Sequence, residues 1–310
     1  MFELSKIVLV MFLWAVCFPL IVAGFAYAPH LTFAALRAFI SGAALVGAGL
    51  LLGRRWPRGV GVWITLTFVG LGATTFAYLG MFHASEFVSP GIATVIANTQ
   101  PLLAAVLASL VLGEYLDLRG KIGLTLGFAG IVVIALPQLA TAQAESYLIG
   151  VGYILLAALG ITVSNVLIRK VAHQVDALMA MGAQLLIGGV PLAIGAAVLE
   201  EPGSVVWSPQ FVLILASLSL FGSSLAYWLW SEILRKTELN RANVFSFLVP
   251  VFGLSLGALF FNERLGWFEV IGIGLSLVGI AMTSQTRSGK VDGAAAKVAA
   301  GPGGENEPIE

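Results

Sequence analysis

PLLAAVLASLVLGEYL (residues 101–116) and PVFGLSLGALFFNERL (residues 250–265) decide the fold of this chain. Each stretch opens on a proline, Pro101 or Pro250. Each then reaches a charged end 13 residues later, Glu114-Tyr115-Leu116 or Glu263-Arg264-Leu265. The two prolines lie 149 residues apart. The same shift pairs Ala77-Tyr78 with Ala226-Tyr227, Ile122-Gly123 with Ile271-Gly272, and Gly130-Ile131 with Gly279-Ile280. Chance rarely holds one register over such a length. The chain is read as a duplication, and a repeat constrains the architecture before any single element is assigned.

The repeat is written in apolar residues. The 310-residue chain is 59% hydrophobic and only 10% charged, with a mean hydropathy of +0.97. A soluble domain carries about 25% charged residues, so this composition suits lipid rather than water. Basic and acidic residues balance at 16 each, which leaves no basic field for nucleic acid. The single cysteine, Cys17, sits in an apolar run and cannot form an intrachain disulfide. No His/Cys cluster suggests a metal, and no cofactor is expected.

A helix needs roughly 20 apolar residues to cross the hydrocarbon core. Ten stretches qualify: about 5–26, 31–52, 61–82, 90–112, 119–137, 147–168, 177–199, 209–233, 240–261 and 267–284. They lack the ten-residue alternating blocks of a membrane β-barrel. Lys6, the apolar run after it and Ala26-Tyr27-Ala28 mimic a cleavable signal. Residues 7–22 nevertheless have a partner near 154–169, so the segment is read as the first span. The expectation is an all-α integral membrane protein of ten transmembrane helices.

Charge sets the direction. Lys and Arg concentrate in short cytoplasmic loops. With the N-terminus inside, 14 of the 16 basic residues fall on that side; Arg264 lies outside and Arg37 within a helix. Both termini are expected in the cytoplasm. Five helices per half is an odd number, so the second copy enters the membrane from the opposite face. Residues 1–138 and 147–285 are read as two inverted five-helix repeats, an arrangement that supplies two near-equivalent packings open to opposite sides. Residues 286–310 lack apolar periodicity and are read as a disordered cytoplasmic tail.

The repeated pattern Pro101…Leu112-Gly113-Glu114-Tyr115-Leu116…Ile122-Gly123…Gly130-Ile131, with its echo from Pro250 to Ile280, resembles the EamA family of the drug/metabolite transporter superfamily. Arg37 fits that family's second-helix arginine, and Trp14 its first-helix tryptophan. The second half departs from this at Gln184, which matches Arg37. The resemblance spans nearly all of residues 5–284. It implies a ten-helix carrier of small metabolites in a bacterial inner membrane, most similar to amino-acid exporters.

Helical spacing points to the interior. Pro101 and Pro250 fall mid-span, where a proline removes a donor and clashes with the carbonyl four residues back. This is read as either a static kink or a gating bend. Residues four apart share a face. Trp14 with Phe18, Tyr78 with Phe82, Thr94 with Asn98, Asn243 with Phe247, and then Asn165 and Tyr227, form matched faces expected to line a central cavity. Asn98, Gln100, Asn165 and Asn243 are read either as interhelical glue or as a wet site; Gln100 points to another face and is read as structural. Arg37 falls about 9 Å below the outer surface by helix rise. It is read as snorkelling or pairing with Glu86 or a carbonyl, or else as an outer gate together with His83.

The expected function is alternating-access export of amino acids, aromatic or neutral. Amides both donate and accept, which suits ammonium and carboxylate groups, and aromatic walls suit an apolar side chain. No acid lies near the midplane, so facilitated carriage without a core proton-coupling carboxylate is expected. A proton-coupled multidrug carrier is the alternative; a membrane enzyme or receptor is a third reading without catalytic residues to support it. The expected partners are a small-molecule substrate and the lipid bilayer. Oligomeric state is left open by the sequence.

Overall fold

The computed structural model describes residues 2–100, 102–103, 106–107, 118–139, 144–201, 203–236, 245–262 and 265–284. Ten helices, numbered in chain order, account for nearly all of them: α1 Phe2–Gly24, α2 His30–Leu51, α3 Val60–Ala84, α4 Pro90–Ala97, α5 Leu118–Leu139, α6 Ala144–Val171, α7 Ala177–Leu199, α8 Pro209–Lys236, α9 Leu248–Phe261 and α10 Trp267–Ser284. Six of the described helices, α1–α3 and α6–α8, are long and apolar enough to cross a membrane. The chain is an all-α membrane protein built as two inverted five-helix repeats. The 286–310 segment lies outside the described residues, as do Pro101, Glu114 and Glu263.

The inversion is visible where α5 meets α10. A Cβ added at Gly130 would lie 2.5 Å from the Gly272 carbonyl oxygen; one added at Gly279 would lie 2.5 Å from that of Gly123. The 149-residue shift carries Gly130 to Gly279 and Gly123 to Gly272. These are thus one contact seen from its two sides, the signature of a twofold interface. Between them the Ser276 hydroxyl donates to the Gly127 carbonyl at 3.4 Å, a pair 149 residues apart. Small residues let the backbones approach to this distance. The same logic runs through the bundle. α2 packs on α7 and α4 on α9, each helix on its own counterpart, while α3 lies along α6 as α8 lies along α1.

Two departures from straight helices shape the centre. First, the span expected at 90–112 is broken in two, and α9 opens on a short turn of its own. α4 stops at Ala97; Asn98 and Thr99 then donate back to Val95 and Ile96, three residues away, in a tightened turn. Among the described residues helix then resumes at Gln100 and includes Leu102, Leu103, Val106 and Leu107. In the second half a 3-10 turn at Phe245–Phe247 precedes α9. Pro250 is therefore buried in the first turn of α9, where its missing donor has no partner to lose. The 149-residue shift lays one break on the other.

Second, α3 carries a π turn at Leu71–Phe76 and α8 carries one at Leu218–Leu225. These too coincide under the shift. Carbonyls disturbed near a π turn need other donors inside a bilayer. The Tyr227 hydroxyl donates to the Ala73 carbonyl at 2.6 Å, and Ser164 to that of Val69 at 3.2 Å. Ser41 and Ser224 both donate to Ser219, at 3.0 and 2.9 Å.

The helix ends are tied together across the halves. Glu200, past the end of α7, accepts from the backbone N–H groups of Leu31 and Thr32 at 2.7 Å each and from the Thr32 hydroxyl at 2.6 Å. It thereby caps α2, whose own Pro29 supplies no side-chain cap. At the other end of the bundle Asp176 caps α7 and lies 3.7 Å from Arg54.

Candidate functional site

Both breaks and both π turns border one central cavity. It gives the centres of water-sized molecules about 100 Å³ of room. One water needs roughly 10–15 Å³ on that measure, so the space suits roughly seven to ten waters, the bulk of an amino acid or a comparable metabolite. Its wall is drawn from both repeats: α1, α2, α3 and the end of α4 from the first, α6, α8 and the approach to α9 from the second.

Six residues chosen from helical spacing meet there: Trp14, Phe18, Tyr78, Asn98, Asn165 and Tyr227. Trp14 stands 5.2 Å, centroid to centroid, from Trp230 with the rings 64° apart. The Trp230 indole donates to the Asn165 side-chain oxygen at 2.9 Å. That bond joins α6 to α8 and leaves the flat of an aromatic wall beside an amide. Asn98 is held at the break of α4, buried, with its side-chain nitrogen lacking a partner. Ser246, in the matching turn of the second half, also lines the cavity with an unpartnered hydroxyl.

Other expected residues lie elsewhere. Phe82 is fully buried one turn beyond Tyr78, in an aromatic cluster with Phe33 at 5.1 Å. The space it was expected to face is filled by those rings. Thr94 is buried against Gly253, where α4 and α9 approach too closely to leave a cavity; its hydroxyl donates to Gly91 at 2.6 Å. Gln100, expected on another face, lines the cavity. The helical register used to orient it is interrupted at Asn98 and Thr99. Asn243 and the Phe247 side chain lie outside the described residues.

Arg37 faces inward. It does not meet Glu86, which instead lies 3.2 Å from His30. Arg37 is on the cavity wall and only 2% exposed. Its Nε donates to Ser223 at 2.9 Å and one terminal nitrogen, Nη2, to the Cys17 sulfur at 3.3 Å. The guanidinium carbon sits 4.3 Å from the Tyr78 ring centroid, and Tyr78 shares a 2.6 Å bond with Ser223. The other terminal nitrogen, Nη1, has no partner. His83 is away from the cavity, bonded to the Leu79 carbonyl at 3.0 Å and packed between His30 and Tyr153.

Cys17, Trp230 and Gly222 also line the cavity and were not selected from the sequence. Two carried a signal, since Cys17 follows Trp14 by three residues and Trp230 follows Tyr227 by three, the same-face spacing used elsewhere. Gly222 touches the Cys17 sulfur across 205 residues, a contact no local spacing encodes. Among the described residues, no group of three His, Cys, Asp or Glu side chains could hold a metal ion.

A central cavity inside an inverted helical repeat, walled by helices that break beside it, defines a membrane carrier. Residues 1–136 and 148–285 each match the EamA-like transporter family, and the chain belongs to that family. It is 30% identical over 259 residues to a chloroplastic WAT1-related protein of Arabidopsis thaliana, covering 79% of this chain and 62% of that relative's length. It is 25% identical over 289 residues to a probable amino-acid metabolite efflux pump of Escherichia coli (strain K12), covering 88% of this chain and 91% of that one. A solved crystal structure matches with a TM-score of 0.65 at 22% identity, over 90% of this chain and 97% of that one, and shares the fold.

Proposed function

We propose that this transporter exports small neutral or aromatic amino acids and related metabolites across a bacterial inner membrane by alternating access. The observation that carries the reading is the cavity wall: aromatic rings at Trp14, Phe18, Tyr78 and Tyr227 beside amides at Asn98 and Asn165. Rings of this kind favour an apolar side chain; the amides and the helix break offer donors and acceptors to a polar head. The similarity to a protein named as a probable amino-acid metabolite efflux pump supports the same class.

In this reading the repeats run 1–138 and 147–285, Pro101 and Pro250 mark where the walls bend, and both termini face the cytoplasm. The charge on the described part of the wall is a cation, so carriage follows the substrate gradient without a proton-binding carboxylate there. The test is purified protein in liposomes loaded with labelled phenylalanine or leucine. Efflux without an imposed proton gradient, reduced by Asn98→Ala, is expected. No movement of any neutral amino acid, or movement only with a proton gradient, would refute the proposal.

A further inference from the structure

We propose that Arg37 is the anchor for the carboxylate of the transported molecule, so that the negative head rather than the amine defines the substrate class. The inference rests on the transport reading above and deepens it. A guanidinium keeps its charge in proteins, and a charge buried in a membrane needs a partner or water. The groups described around Arg37 are a thiol, a hydroxyl and an aromatic ring, all neutral. Nη1 is left with no partner, on a residue 2% exposed that lines the cavity.

The second repeat shows what the scaffold itself requires at this position. Gln184 stands where the repeat places Arg37, and Thr74 stands where it places Ser223. Thr74 donates to the Gln184 side-chain oxygen at 2.9 Å, mirroring the bond from Arg37 to Ser223 at 2.9 Å. An uncharged amide therefore holds the structural bond in one half. The Gln184 side-chain nitrogen is unpartnered too, so a spare donor does not separate the halves; the charge does, and only Arg37 of the two opens on the cavity. A carboxylate placed there would accept from Nη1 in a charge-assisted bond. Asn98, whose side-chain nitrogen is also unpartnered on the same wall, is available for the second oxygen. The aromatic rings then take the apolar tail.

The head group is tested with purified full-length protein and four probes sharing one tail: L-phenylalanine, L-phenylalaninamide, 2-oxo-3-phenylpropanoate and 2-phenylethylamine. A matching aliphatic set starts from L-leucine. Binding is read by calorimetry and by displacement of labelled L-phenylalanine. Both acids are expected to bind, the oxo acid comparably to the amino acid, with the amide and the amine at least tenfold weaker. Arg37→Gln, which copies the second repeat, should weaken the acids about ten- to hundredfold and leave the amide unchanged, collapsing the acid-to-amide ratio. A purely structural arginine would lower all probes together. Arg37→Lys should keep part of the preference, since the charge remains. Equal binding of acid and amide, or an acid preference that survives Arg37→Gln, overturns the proposal while leaving amino-acid transport standing. Binding of the oxo acid without the amino acid supports the anchor and removes the amino-acid reading. Binding of none of the probes removes both.

Discussion

The bond from Trp230 to Asn165 gives a double-mutant cycle whose outcome is set by the geometry. The two side chains are 2% and 4% exposed and meet at 2.9 Å. Asn165→Leu keeps the bulk but strands a buried indole N–H, at a cost of about 1–3 kcal/mol. Trp230→Phe strands the amide oxygen and thins the packing against Trp14, at a cost of about 2 kcal/mol. The double variant strands neither group. It should therefore be less destabilised than the sum of the single variants by about 1 kcal/mol, within the range found for polar pairs in membrane proteins. Equilibrium unfolding in mixed micelles measures all four species. Additivity to within about 0.5 kcal/mol would mean that the two residues do not share this bond. Labelled-substrate efflux from liposomes adds a second readout. Trp230→Phe should slow it even where folding is intact, because the lost ring is part of the cavity wall.

Three further outcomes follow from the packing. Gly130→Leu and Gly279→Leu should each destabilise the bundle by at least about 1–3 kcal/mol, and by similar amounts, because they strike the same contact from opposite sides. Gly274→Leu, on the same helix with open space before it, should stay within about 0.5 kcal/mol; thermal unfolding in detergent ranks the three. Glu200→Ala should cost about 1 kcal/mol as a lost cap and speed amide exchange at Leu31 and Thr32, read by mass spectrometry. Tyr227→Phe leaves the Ala73 carbonyl without its donor and should cost about 1–3 kcal/mol. Tyr78→Phe should cost nearer 1 kcal/mol, since Ser223 keeps its bond from Arg37; the same unfolding assay compares them.

The architecture was legible because it is carried by patterns that survive in one dimension. Apolar runs gave α2, α5, α7, α8 and α10 nearly their observed limits, and the Pro and Gly matches exposed the repeat. The cavity was half legible. Trp14, Phe18, Tyr78, Asn165 and Tyr227 were found because same-face spacing holds within a stretch of helix; Asn98 reaches the cavity from the break that ends α4. Gln100 was misplaced because same-face spacing does not carry across the break at Asn98 and Thr99. Phe82 and Thr94 were misplaced because facing inward is not the same as facing a void; Phe33 and Gly253 decide that from other helices. The π turns left no mark in hydropathy, since a wider turn changes which carbonyls are bonded and not which residues are apolar. The neighbours of Arg37 could not be read in one dimension, because Ser223 lies 186 residues away.

The seam between α5 and α10 has a mechanical consequence. A contact that maps onto itself under the repeat looks the same from either side of the membrane. If the two halves exchange shapes, one opening as the other closes, Gly127 and Ser276 are the pair whose surroundings need not change. That makes the seam a pivot rather than a moving part, and it carries no record of direction. Any preference for outward over inward travel must be written where the halves differ, and Arg37 against Gln184 is such a place.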